Sequence, residues 1–105
     1  MEFEIMKTRM NGETLQIASP RQLDSTNANW FREQAMAALN DTHHTIEIDL
    51  AGTSMLDSCG LGALLSLHKV CGARNGCVRL RNPAPPVQQI LELTRTNRIF
   101  EVVTE

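Results

Sequence analysis

Between Ile46 and Leu65 the chain reads IEIDLAGTSMLDSCGLGALL, and the residues best suited to chemistry gather there. Asp57 and Ser58 both carry side-chain oxygens that can cap a helix N-terminus. Gly60 and Gly62 fall in the first turns of the helix that follows, where each glycine costs about 0.8–1 kcal/mol relative to alanine. Two glycines so close together imply a steric demand at the helix start. A hydroxyl placed there suits a phosphate, because unpaired backbone N–H groups and the helix dipole both favour negative charge. Taken alone, Ser58 reads first as a plain helix cap.

Other reactive side chains do not converge. Cys59, Cys71 and Cys77 form no CxxC pair, and their odd number suggests free thiols in a reducing compartment. Cys59 has no histidine at a diagnostic spacing, and His43, His44 and His68 form no metal site with the cysteines. Gly60-Leu61-Gly62 opens like a dinucleotide fingerprint, but Leu65 stands where its third glycine belongs. No catalytic residue, metal or cofactor is expected, and the chain reads as a non-enzyme.

Charge excludes a further class. The first 53 residues hold four Lys/Arg against eight Asp/Glu, and the remainder six against four. Neither part has the basic density that binding a phosphate backbone requires. With one Trp, no Tyr and three Phe there is no stacking platform either, so nucleic acid is not an expected partner. GLGALLSL, the longest apolar-rich stretch, is too short to span a bilayer, and the acidic N-terminus is no signal peptide. The expected location is the cytoplasm, with no membrane partner.

The 105 residues form one domain, 1–105. Glu2–Met10 and Thr14–Ala18 flank an Asn11-Gly12 turn and read as a β-hairpin. Ser25 or Thr26 can cap a helix to about Leu39, with Phe31, Ala35, Ala38 and Leu39 on one stripe. Thr45–Leu50 alternates as a strand. A second helix starts at Ser58 or Cys59, buries Leu61, Leu64, Leu65, His68 and Cys71, and stops at Gly72, Asn75 and Gly76. Cys77–Arg81 is a strand, and prolines in NPAPP suit the start of a third helix facing inward through Val87, Ile90, Leu91 and Thr94. Ile99–Val103 closes the chain as a strand. Strand–helix alternation after a hairpin predicts an α/β fold: a mixed sheet, parallel beyond the hairpin, with helices mainly on one face. Arg79, Arg81, Arg95 and Arg98 read as a solvated surface.

DLAGTSMLDSCGLGALLSLHK resembles the signature of the STAS domain, in particular that of bacterial anti-sigma-factor antagonists. The likeness rests on a strand ending at Asp49-Leu50, a short loop, and Asp57-Ser58-Cys59-Gly60-Leu61-Gly62 opening an amphipathic helix. Arg21-Gln22-Leu23-Asp24 stands at the family's Gly-x-Leu-Asp position, and VQQILELTRTNRIFEVV is similar to its closing helix and strand. The resemblance implies a partner switch. The unmodified protein binds an anti-sigma factor that is also a serine kinase, so a sigma factor is freed. Phosphorylation of Ser58 abolishes binding, and a serine phosphatase reverses it. The implied contact surface comprises Asp24, Ser25, Met55, Asp57, Ser58, Cys59, Gly60 and Gly62. The alternative is a STAS-type subunit of a lipid-transport ABC system or signalling scaffold, with no phosphorylation cycle. The sequence departs from the pattern at Cys59 (usually Ser or Thr), at Arg21 (usually Gly) and at Thr53 (commonly apolar).

Overall fold

A computed structural model describes the backbone of residues 8–11 and the whole of residues 13–104. Strand β1 (Thr8–Asn11) runs antiparallel to β2 (Thr14–Ala18), pairing Asn11 with Thr14 and Thr8 with Ile17. The antiparallel pairing is the expected one, but Asn11 belongs to β1 rather than to the turn; the expected strand residues before Thr8, and Gly12, lie outside the described residues. A two-residue strand, β3 (Gln22–Leu23), precedes helix α1 (Ala28–Ala38). Next come β4 (Thr45–Asp49), two-residue β5 (Met55–Leu56) and helix α2 (Ser58–Gly72). The chain then forms β6 (Val78–Arg81), helix α3 (Pro85–Leu93), a 3-10 turn at Thr96–Arg98 and β7 (Glu101–Val103).

The main sheet has the order β1-β2-β4-β6-β7, parallel from β2 onward. Alternation decides its faces, since successive strand side chains point to opposite sides. Leu15, Ile17, Ile46, Ile48, Val78 and Leu80 are buried in one core with Phe31 and Ala35 of α1, Leu61, Leu64 and Leu67 of α2, and Val87 and Leu91 of α3. Each fully buried leucine contributes about 1.5–3 kcal/mol. The other face carries a polar row in register: Gln16 beside Glu47, Glu47 beside Arg79, Arg79 beside Glu101.

That row corrects the reading of Arg79 and Arg81 as solvated. Glu47 is only 8% exposed and accepts hydrogen bonds from Arg79 (2.9 Å), Arg81 (3.1 Å) and Gln16 (3.0 Å), while Arg79 also reaches Glu101 at 3.2 Å. Burial alone pushes the Glu47 carboxyl up, but hydrogen bonds from Arg79, Arg81 and Gln16 and the nearby charge outweigh it and hold the group below its ordinary value.

Helix boundaries shift in detail. Asn27, rather than Ser25 or Thr26, is the N-cap of α1, with no side-chain cap bond of its own. Its amide instead ties the preceding loop together, accepting from the Asp24 N–H at 3.0 Å and donating to the Gln22 carbonyl at 2.7 Å. Gly72 lies inside α2; the stop comes from Asn75 in the left-handed region (φ 63°) and from the Gly76 N–H bonding back to the Cys71 carbonyl at 2.8 Å. The buried stripe of α2 includes Leu67, and Leu65 is only partly covered.

Candidate functional site

Two loops meet at the N-terminal end of α2. β3 pairs in parallel with β5, Gln22 against Met55 and Leu23 against Leu56. Further bonds lace the same segments: Ser54 N–H to the Arg21 carbonyl (2.8 Å), Asp57 N–H to the Leu23 carbonyl (3.3 Å), and the Thr53 hydroxyl to the Pro20 carbonyl (2.8 Å). Thr53 is fully buried, and that last bond satisfies its polar atom. The departure from an apolar residue at this position is therefore structurally provided for.

Asp57 is the N-cap of α2, and its carboxylate joins the two loops. One oxygen accepts from the Gly60 N–H at 2.9 Å, the other from the Ser25 N–H at 3.0 Å. Ser58 is consequently the first helical residue, exposed, with the capping work done by its neighbour. Asp24 lies in the facing loop. Its carboxylate accepts from the Thr26 hydroxyl and the Thr26 N–H, in that order of effect, and these bonds hold it below the usual carboxylate range.

The two glycines divide the role expected of them jointly. Gly60 is buried, and a Cβ there would overlap the Leu23 carbonyl oxygen and crowd the Leu56 side chain. The steric demand is real at this position. At Gly62 a Cβ would meet nothing within 4 Å, and the residue is exposed. The close-packing reading of Gly62 is therefore wrong. Met55 is 42% exposed beside buried Leu56, and Cys59 is an exposed free thiol.

The fold brings Asp24, Ser25, Met55, Asp57, Ser58, Cys59, Gly60 and Gly62 to one end of the sheet, although Gly60 is covered. Sequence reasoning missed the α1 side of this surface. A cleft of about 340 Å³ runs between α1 and α2, and Asn29 and Arg32 line it opposite Cys59, Gly62 and Ser66. The signal was present: Ala28 and Arg32 are one helical turn apart, as are Cys59 and Ala63, and each pair lines the cleft from its own helix. Among the described residues no group of three or more His, Cys, Asp or Glu is placed to hold a metal ion. No helix among them is long and apolar enough to cross a membrane.

The family model of the STAS domain matches residues 6–105. A STAS-domain containing protein of Pseudomonas aeruginosa (strain UCBPP-PA14) is 34% identical over 55 residues, 52% of this chain and 54% of the relative, so the match spans about half of each. Among solved structures, Thermotoga maritima protein TM1081 superposes with a TM-score of 0.85 at 22% identity, covering 93% of this chain and 85% of that one. The anti-sigma factor antagonist SpoIIAA in its unphosphorylated form gives 0.80 at 24%, covering 96% and 90%. The phosphorylated form of SpoIIAA, from Bacillus, gives 0.72 at 23%, covering 96% and 93%. The murine anion transporter Slc26a9 also matches, with a TM-score of 0.65 at 22%, over 81% of this chain but 14% of the transporter.

Proposed function

The chain belongs to the STAS domain family, and on that premise we propose that it is a non-enzymatic, cytoplasmic protein-binding switch: an anti-sigma-factor antagonist inactivated by phosphorylation of Ser58. The observation that carries this reading is the exposed Ser58 hydroxyl on the first residue of α2, spared from capping by Asp57. Its support from relatives is that SpoIIAA, of the same fold, exists in unphosphorylated and phosphorylated forms.

The mechanism follows from charge. Unmodified, the loop at Asp24-Ser25, exposed Met55 and the start of α2 offer a continuous surface to an anti-sigma factor with serine kinase activity. A phosphate on Ser58 adds roughly −1.5 to −2 charges to that surface. It must be solvated where the partner would sit, beside the carboxylates of Asp57 and Asp24. A penalty of about 2.7 kcal/mol weakens binding about a hundredfold. Removal of the phosphate by a serine phosphatase restores the surface.

Two measurements test this. Mass spectrometry of the protein from its native cells should place a phosphate on Ser58. Against the purified anti-sigma factor of the same genome, Ser58→Asp should bind about a hundredfold more weakly than the parent, and Ser58→Ala should bind like the parent even with kinase and ATP present. Equal binding by both variants would remove the switch. It would favour the competing reading, a STAS-type subunit of a lipid-transport ABC system or signalling scaffold, for which the fold's recurrence within a transporter is the supporting observation.

A further inference from the structure

We propose that the cleft between α1 and α2 is a second seat for the anti-sigma factor, taking a short apolar side chain over Gly62 and a carboxylate on Arg32. The inference rests on the partner-binding reading above and adds where the partner is held beyond the serine loop. It starts from a cost that nothing inside the fold returns. Gly62 lies within α2, where glycine costs about 0.8–1 kcal/mol relative to alanine. Yet a Cβ there would meet nothing within 4 Å, whereas Gly60 is required by the Leu23 carbonyl. Gly72 shares the open space, but it is the last residue of the helix. Gly62 lines the cleft, and any side chain at that position would take up room in it.

The cleft continues the surface already described, since Ser25, Cys59 and Gly62 belong to both. Buried Ala28 and Ala63 line it from either helix, and exposed Asn29 lies among the lining residues. A small apolar base with a polar rim is the anatomy of an interface anchor point. At about 340 Å³ and open to solvent, the cleft holds a few side chains rather than an enclosed ligand. Charge selects one of them. Arg32 donates from Nη2 to the Asn29 amide oxygen at 3.1 Å, which leaves donors over. Among the described residues no carboxylate lies within ion-pair distance of it. The nearby acids have other donors: Glu33 the Asn29 amide, Asp24 Thr26, and Asp57 the Gly60 and Ser25 amides. The side chain that complements this wall is therefore an Asp or Glu of the partner, which a guanidinium takes through paired N–H donors.

The test is calorimetric titration of the whole unphosphorylated chain with the purified anti-sigma factor of the same genome, without ATP. Gly62→Leu fills the cleft and leaves Ser58 and Asp57 in place. It should weaken binding about tenfold or more, while its thermal unfolding is no lower than the parent's. Gly62→Ala, a smaller intrusion into the same space, should fall between the two and carries the test if the leucine variant does not fold. Arg32→Glu should also weaken binding about tenfold, and Arg32→Gln less, because only the first repels a carboxylate. Arg98→Glu, on the 3-10 turn and outside the cleft lining, should bind like the parent. Parent-like binding by the Gly62 and Arg32 variants overturns the seat. That outcome is distinct from failure of the switch, which Ser58→Asp reads: weak binding by Ser58→Asp with normal binding by the cleft variants leaves the serine loop as the docking site and strikes the cleft. A parent chain that does not bind the anti-sigma factor at all overturns both.

Discussion

At its N-terminal end α2 is held by an anion, at its C-terminal end by a cation. The Asp57 carboxylate takes the amides of Gly60 and Ser25; the Arg74 guanidinium donates to the carbonyls of Asn40 (2.7 Å) and His43 (3.1 Å). Both signs agree with the helix dipole. Each end also uses one glycine as a contact point, Gly60 against the Leu23 carbonyl and Gly76 against the His44 carbonyl. Each has a second glycine, Gly62 or Gly72, with open space where a side chain would go. The construction is shared, yet only the N-terminal end combines a cleft, an exposed hydroxyl and an exposed methionine. Anchoring falls to one residue there, because Asp57 caps the helix and Ser58 beside it is left exposed.

The largest expected effects test the shared construction. Gly60→Ala and Gly76→Ala should each destabilise the fold by about 3 kcal/mol or more, since the added methyl meets backbone rather than a movable side chain. Denaturant unfolding measures this, and a mild effect at either position would break the parallel between the ends.

Next comes the sheet on which both ends rest. Glu47→Gln should cost about 1–2 kcal/mol at neutral pH by weakening the bonds to Arg79 and Arg81. The Glu47 carboxyl is held below its ordinary value in the folded state. Its contribution is therefore complete above the unfolded carboxylate range and is lost as pH falls through the folded value. The parent should lose stability in acid more steeply than Glu47→Gln, as thermal unfolding across pH will show.

Removing the charged anchors separates the ends. Asp57→Ala and Arg74→Ala should each cost about 1 kcal/mol, but only Asp57→Ala should also weaken partner binding, because it releases the Ser25 loop. Calorimetry of both variants against the anti-sigma factor checks it. Smallest, and opposite in sign, Gly62→Ala and Gly72→Ala should each stabilise by about 0.5–1 kcal/mol, the ordinary gain from removing a helical glycine.

Much of this architecture was legible because it follows from periodicity. The alternation of Leu15 and Ile17, or of Ile46 and Ile48, fixes which face is buried whatever the strand's neighbours. The helix start at Asp57-Ser58 was equally plain, since few residue types cap. What escaped reading depends on partners distant in sequence. Gly60 and Gly62 look alike until Leu23 is seen beside only one of them. Glu47 draws Arg79 and Arg81 out of solvent through register alone, and strands of two residues such as β3 and β5 are too short to show a period. Arg32 gained its place at the cleft only once α1 lay against α2.

The division of labour between Asp57 and Ser58 has a consequence for the information the molecule carries. The hydrogen bonds that hold the helix start belong to Asp57 and not to the serine oxygen, so a form modified on Ser58 would keep the same scaffold and differ as a written page differs from a blank one. Under the proposed switch, erasing the mark would need no refolding, and the lifetime of each message would be set by the enzymes that write and erase it rather than by the endurance of the fold.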